Sequence, residues 1–290
     1  MKCINQVDRP DYSLFNGDCV DVIAGLPERS VDYAIFSPPF SSLYTYSNSP
    51  RDMGNSRTDA EFFEHFDHLV AELARVIKPG HCVSFHCMQL PTSKERDGYI
   101  GLKDFRGDLV RAFQRHGFIY ASEVTIWKDP VTAMQRTKAL GLLHKTVRTN
   151  ATMCRQGIPD YLVTMRAPGE VQDKVAHGTD IPVDEWQKIA SPVWMDINPS
   201  DTLQFKSARE HDDERHICPL QLDVIRRGIR LWTAPGDVVL TPFLGIGSEA
   251  YCAVEMGRKA IGVELKKSYF DQAVKNLDAL AAQHDMFATA

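Results

Sequence analysis

The sequence predicts an α/β protein: a mostly parallel sheet with helices on its faces. Three observations predict it. From residue 12 to 127, short apolar runs alternate with helix-period segments in the order strand, helix, strand, helix, strand. From about residue 216 onward, the order is strand, glycine loop, helix, strand, acidic residue, which is the sequence form of a nucleotide-binding βαβ unit. Between them, Pro159, Pro168-Gly169, Pro182, Pro192 and Pro199 break the pattern repeatedly. Residues 128–215 therefore read as an inserted region between two halves, 1–127 and 216–290, of one sheet domain.

Each element has its own signal. Tyr12–Phe15 is a short strand ended by the turn Asn16-Gly17-Asp18, and Cys19–Leu26 a short helix stopped near Pro27. Val31–Phe36 is an apolar strand running into Ser37-Pro38-Pro39-Phe40, followed by a polar loop to about Arg57. Thr58-Asp59-Ala60-Glu61 is an N-cap signal, after which Phe62, Phe66, Leu69, Val70 and Leu73 recur at helical spacing. Lys78-Pro79-Gly80 is expected to stop that helix, and His81–His86 to form the next strand. Phe105–His116 reads as a helix and Phe118–Trp127 as a strand. In the middle region only Tyr161–Met165 has a clear strand pattern. Further on, Leu220–Leu231 is a helix, Val238–Leu240 a strand, Ser248–Met256 a helix, Lys259–Val263 a strand and Ser268–Ala282 a final helix.

Composition narrows the class. Of 290 residues, 43% are hydrophobic, enough for a full core, and no apolar run approaches the ~18 residues of a membrane-spanning helix. The N-terminal residues lack the charged-then-apolar pattern of a secretory signal, so a soluble cytoplasmic protein is expected. The seven cysteines include no CxxC pair. Cys82, His86 and Cys87 superficially suggest a metal, but strand alternation puts Cys87 on the opposite face from the other two, and no metal is expected. The net charge of −5 is not that of a general nucleic-acid binder. It is unevenly distributed, however. Between Trp127 and Arg155 the chain carries Lys128, Arg136, Lys138, Lys145, Arg148 and Arg155 against Asp129 alone. That stretch is either a face for phosphates or an ordinary solvated surface.

Two short segments carry chemistry. In Thr241-Pro242-Phe243-Leu244-Gly245-Ile246-Gly247, the glycines let the backbone approach a ligand where a Cβ would collide. Glu264 ends the following strand, where a carboxylate can accept from both hydroxyls of a ribose. Read alone, the loop is compatible with a dinucleotide, another nucleoside cofactor, or a plain tight turn. Ser37-Pro38-Pro39-Phe40 is more specific. Two prolines fix φ and remove two N–H donors, and Ser37 is held extended by the proline after it. The result is a rigid rim of acceptors, the Ser37 hydroxyl and backbone carbonyls, beside an aromatic ring. Such a rim suits an amino group on an aromatic base, whose lone pair is delocalised and must be localised before it can attack. Read alone, it is also compatible with a surface Pro-Pro turn.

Ser37-Pro38-Pro39-Phe40 resembles the (D/N/S)-P-P-(Y/F/W) motif of amino-group DNA methyltransferases, and Thr241–Gly247 resembles their D-P-F-x-G-S-G cofactor motif. The catalytic motif precedes the cofactor motif, as in the β group of that family. The resemblance covers residues 12–127 and about 215–280. It implies a Rossmann-like class I methyltransferase sheet, circularly permuted, with a target-recognition region at 128–215. It implies S-adenosylmethionine as cofactor, held by Asp18, Pro219, Thr241, Phe243, Gly245, Gly247 and Glu264, and catalysis by Ser37, Pro38, Pro39 and Phe40. It also implies double-stranded DNA with a flipped base as partner, and a restriction–modification setting. A homodimer is compatible with it. DNA contacts are expected from the basic stretch above, with Asn198–Arg215 a further candidate. Ser at the first motif position favours cytosine N4 over adenine N6. Thr241 in place of Asp, Ile246 in place of Ser, and Cys218-Pro219 in place of Lys-Pro each predict a weaker hold on the cofactor. An RNA or small-molecule methyltransferase, a non-catalytic DNA-binding protein and a dehydrogenase are the competing readings.

Overall fold

A strand whose six residues are all buried, as Val31–Phe36 is, must lie inside a sheet covered on both faces. The computed structural model describes residues 2–40, 53–56, 58–132, 142–171, 181–204 and 219–288. Arg136, Lys138, Cys218 and most of the loop after Phe40 lie outside the described residues, as does 205–215 of the second candidate DNA segment.

In chain order the main elements are β1 (Asn5–Arg9), β2 (Tyr12–Asn16), α1 (Cys19–Ile23), β3 (Val31–Phe36), α2 (Asp59–Val76) and β4 (Ile77–Met88). Then come α3 (Phe105–Arg115), β5 (Ile119–Ile126), α4 (His144–Thr149), β6 (Asp160–Arg166), α5 (Val183–Ile189) and β7 (Val193–Trp194). The last are α6 (Leu222–Trp232), β8 (Val238–Thr241), α7 (Ser248–Glu255), β9 (Lys259–Glu264) and α8 (Lys267–Ala288). The strands form one nine-stranded sheet in the order β1-β2-β9-β8-β3-β4-β6-β5-β7.

The run β2-β9-β8-β3-β4 is parallel throughout. β6 runs antiparallel to both its neighbours, and β1 is an antiparallel edge strand that the sequence reading did not contain. The segment expected as an insertion thus supplies an interior strand of the sheet, β6, and the edge strand β7. Tyr161–Met165 has the strand pattern, but nothing local to it specifies that it enters between β4 and β5.

Side-chain alternation sorts the helices onto two faces. Ala34 and Phe36 of β3 join a core with α1, α2 and α3. Tyr33 and Ile35 join the other core, with α6, α7 and α8. α2 begins as expected: Thr58 Oγ1 accepts from the Glu61 amide at 3.1 Å, and Phe62, Phe66, Leu69, Val70 and Leu73 are buried. Its end differs. The helix stops at Val76 and β4 starts at Ile77, so Lys78-Pro79-Gly80 opens the strand rather than separating it from the helix. The β3–β4 register shifts there, between Val31 and Tyr33, where Pro79 can be accommodated without breaking a regular ladder.

One buried carboxylate ties the central strands together at their N-terminal end. Asp32 Oδ2 accepts from the Val238 amide of β8 at 2.9 Å, and Oδ1 from Lys78 Nζ of β4 at 2.5 Å. Asp32→Ala removes both bonds while leaving the donors in place. It is expected to lower unfolding free energy by about 2–3 kcal/mol, measured by urea denaturation followed by circular dichroism.

Candidate active site

The parallel registers bring the two sequence motifs to one rim. Leu240 of β8 is level with Ala34 of β3, Thr241 with Gly262 of β9, and Glu264 with Asn16 of β2. Ser37, Thr241, Glu264 and Asp18 therefore all lie at strand C-termini on the same edge of the sheet. The chain leaves β8 towards β9 and leaves β3 towards β4, so the β8/β3 boundary is a topological switch point, where open α/β sheets bind ligands. The rings of Phe36 and Phe243 lie 5.7 Å apart across that boundary.

Glu264 organises the glycine loop. Its Oε2 accepts from the Gly245 amide and its Oε1 from the Lys266 amide, both at 2.8 Å. The two glycines have different reasons to be glycine. Gly245 has φ +54°, and a Cβ there would meet nothing within 4 Å, so this backbone is open to a ligand. At Gly247, with φ +97°, a Cβ would meet Leu277 Cδ1 at 3.0 Å and Ala273 Cβ at 3.1 Å. Gly247 thus has a packing reason of its own: it lets α8 pack against the start of α7. Ile246, in place of the motif's Ser, is buried against Tyr269. Thr241, in place of its Asp, has a buried Oγ1 with no hydrogen-bond partner among the described residues. Phe243 is half-buried, and Pro219 is half-buried just ahead of α6.

Asp18 caps α1, its Oδ1 accepting from the amides of Val20 at 2.9 Å and Asp21 at 3.2 Å. The segment before it is bound to the end of β9: Gly17 N donates to the Glu264 carbonyl at 3.0 Å and Asn16 Nδ2 to the same oxygen at 2.8 Å. Asp18 thus stands beside Glu264 with a structural duty of its own.

At the end of β3, Pro38 is buried while Ser37, Pro39 and Phe40 are half-buried. Phe40 rests edge-on against Phe105 of α3, ring centroids 6.3 Å apart. Ser37 Oγ lies 3.2 Å from His86 Nδ1. The other ring nitrogen, Nε2, is 3.0 Å from Asp160 Oδ2, an ion-pair distance without hydrogen-bond alignment. Lys128 Nζ is 2.6 Å from the same oxygen. Burial alone would raise the Asp160 carboxyl, but His86 and Lys128 outweigh it and hold it below the ordinary carboxylate value. The sequence reading placed His86 in a buried strand and Lys128 among phosphate contacts; the structure engages both with Asp160. Of the remaining basic residues expected to meet DNA, Lys145 and Arg148 are exposed on α4, and Arg155 is half-buried with Nη1 donating to the Gln156 carbonyl at 3.1 Å.

The architecture is that of a Rossmann-like methyltransferase. The structure is similar to that of TTHA0409 from Thermus thermophilus, assigned as a DNA modification methylase and solved with S-adenosyl-L-methionine: TM-score 0.69, 21% identity, 92% of this chain and 93% of that one. It is also similar to the PvuII DNA methyltransferase, which is cytosine-N4-specific: TM-score 0.64, 16% identity, 92% and 86%. The particular family follows from the sequence. The N6_N4_Mtase family of DNA methylases matches residues 31–275, and the chain belongs to it. It is also 25% identical over 276 residues to the type II methyltransferase M.BglII from Bacillus subtilis, across 94% of this chain and 71% of that protein. No described helix is long and apolar enough to cross a membrane.

Sequence reading missed Glu249. It lies fully enclosed in the first turn of α7, and desolvation, with a smaller push from Glu264, raises its carboxyl to about 8. An acid raised on folding stabilises the fold while protonated, and that contribution is lost as pH climbs from the unfolded value towards the folded one. Wild-type stability is therefore expected to fall by a few kcal/mol relative to Glu249→Gln between about pH 5 and pH 8, read by urea denaturation at several pH values.

Proposed function

We propose that this protein transfers a methyl group from S-adenosylmethionine to the exocyclic amino nitrogen of a base in double-stranded DNA, with cytosine N4 as the target. The observation that carries this reading is the juxtaposition across β8 and β3: the Gly245 loop, anchored on Glu264, beside Ser37-Pro38-Pro39-Phe40. Family membership supports transfer to DNA.

The residues fit the cofactor. Gly245 leaves its backbone approachable, Thr241 offers a hydroxyl oxygen with no partner among the described residues, and Glu264 stands at the strand end where a ribose would lie. When bound, S-adenosylmethionine supplies an electrophilic methyl on a sulfonium. The remaining work belongs to the chain. Ser37 Oγ and the Pro38 carbonyl accept from the amino group and localise its lone pair on nitrogen, and Phe40 stacks on the base. The prolines keep these groups from rearranging, so the rate gain comes chiefly from positioning. No cysteine nucleophile takes part. The target nitrogen is unreachable in a stacked duplex, so the base is flipped into the site. Lys145, Arg148 and Arg155, with Arg136 and Lys138, contribute phosphate contacts, and residues around 128–215 read the sequence, β6 excepted. A restriction–modification setting and a cytoplasmic location accord with the likeness to M.BglII.

Cytosine N4 rests on Ser37 together with the fold likeness to the cytosine-N4-specific PvuII enzyme. The test is nucleoside mass spectrometry of unmethylated duplex DNA after incubation with protein and S-adenosylmethionine. N4-methylcytosine is expected. N6-methyladenine would overturn the choice of base, and no methylated nucleoside the reading as a whole. Ser37→Ala is expected to lower kcat by about 10²-fold with cofactor binding intact. Glu264→Ala is expected to weaken cofactor binding by about 10- to 100-fold, measured by isothermal calorimetry.

A further inference from the structure

Four neighbouring strands each place one polar residue at the same rim and on the same face. Phe36 of β3 is level with Phe85 of β4, so Ser37 is level with His86. On β6, Asp160 pairs with Met88 of β4 and with Ile126 of β5, two residues before Lys128. Alternation puts Ser37 on the side of Tyr33 and Ile35, and Asp160 on the side of Leu162, all facing the α6–α7–α8 core. The result is an unbroken chain of contacts: Ser37 Oγ to His86 Nδ1 at 3.2 Å, His86 Nε2 to Asp160 Oδ2 at 3.0 Å, and Asp160 Oδ2 to Lys128 Nζ at 2.6 Å. His86 is 8% exposed and Asp160 3%.

Buried polar groups are costly unless they are partnered. This set is also incompletely satisfied, because Asp160 Oδ1 has no partner among the described residues and His86 Nε2 is not aligned on Oδ2. A purely structural buried network would be expected to close its bonds, whereas catalytic ones are often loose before substrate binds. The neighbouring cations on that face are committed elsewhere: Arg226 to Glu255, Arg227 to Asp196 and Asp223, Arg230 to Glu185.

We propose that His86, held by Asp160 and Lys128, is the positioning residue that orients the Ser37 hydroxyl towards the target amine and receives, through Ser37, the proton the amine sheds on methylation. This rests on the methyltransferase reading above. A carboxylate beside Nε2 favours the tautomer with its proton there, leaving the Nδ1 lone pair to accept from the Ser37 O–H. That turns a Ser37 lone pair towards the incoming amine. As the amine nitrogen bonds to the methyl carbon, the carbon–sulfur bond breaks and its electron pair stays on sulfur. The nitrogen becomes positively charged and releases one proton to Ser37 Oγ, while the Ser37 proton passes to His86 Nδ1. The imidazolium is stabilised by the Asp160 carboxylate and later returns its proton to water. The arrangement parallels the serine–histidine–aspartate logic of acyl transfer, with the hydroxyl serving as a relay and never as a nucleophile.

The test is single-turnover methylation across pH for wild type, His86→Gln, Asp160→Asn, Ser37→Ala and the Ser37→Ala/His86→Gln double variant. His86→Gln is expected to slow the chemical step about 10- to 100-fold and to abolish the acid-side fall of the wild-type rate, with DNA and cofactor affinity unchanged. The double variant is expected to be no slower than Ser37→Ala, because the two residues act as one unit. Nitrogen-15 NMR of the histidine ring is expected to show Nε2 protonated and Nδ1 bare. Asp160→Asn, nearly isosteric, is expected to slow the step and disturb that tautomer, and it decides the matter if His86→Gln does not fold. A His86→Gln enzyme with the wild-type rate and pH profile overturns the proposal, as does multiplication of the two single effects in the double variant. If wild type itself yields no methylated base, the methyltransferase reading fails instead.

Discussion

The site depends on one constraint, the parallel pairing of β3 with β8. Ala34 and Leu240 are about two hundred positions apart in the chain, yet their registry decides that a rigid proline turn and a glycine loop end side by side. A slip of one residue would turn Tyr33 and Ile35 out of one core and into the other, so the two packed faces enforce the register. Asp32 closes the opposite end of the same ladder, bonding β8 through the Val238 amide and β4 through Lys78. The geometry of the reaction rim is thus fixed by burial on both faces and by a buried carboxylate at the far end of the strands.

The sequence made the strands and helices of both halves legible, because their signals are local. Val31–Phe36 coincides with β3, and Thr58 caps α2 as its side chain demands. The meeting of Ser37 with the Gly245 loop was legible only through the order of the motifs and the family they resemble. What remained hidden is non-local. The place of β6 between β4 and β5 is set by edges that become available only once the sheet exists. His86 looked like one more residue of a buried strand because its partners arrive from the end of β3 and from β6, and the lysine that holds its aspartate comes from beyond β5. The packing constraint on Gly247 was equally hidden, because it comes from Ala273 and Leu277 on a helix more than twenty residues away. Lys128 was assigned with the basic stretch around it, and only the fold reveals the aspartate that engages it.

Charge distribution follows the same division. The chain is net acidic at −5, and the carboxylates of Asp18 and Glu264 stand beside the glycine loop at the adjoining ends of β2 and β9, whereas burial keeps Glu249 largely protonated near neutral pH. In the proposed reading the donor brought there is a sulfonium, which an acidic surround favours. Exposed Lys145 and Arg148 stand outside that cluster, on α4. In the same reading a polyanion is favoured near that second group, so the two charges would be met at separate places on the molecule.

Ser37 itself sharpens the chemistry. A motif that begins with Asp carries a charge that can stabilise the cationic amine formed in transfer; a serine hydroxyl is neutral, and alone it is a poor proton acceptor. A serine-type site therefore needs a second group able to take the proton, and that group must reach the hydroxyl without displacing the base. His86 meets both demands: it is one strand over, level with Ser37, and approaches from the sheet rather than from the rim where the base would enter. Asp160 and Lys128 then serve the histidine and not the substrate. The negative charge that an Asp motif would present directly lies two contacts further back, behind an imidazole that can carry the proton between them.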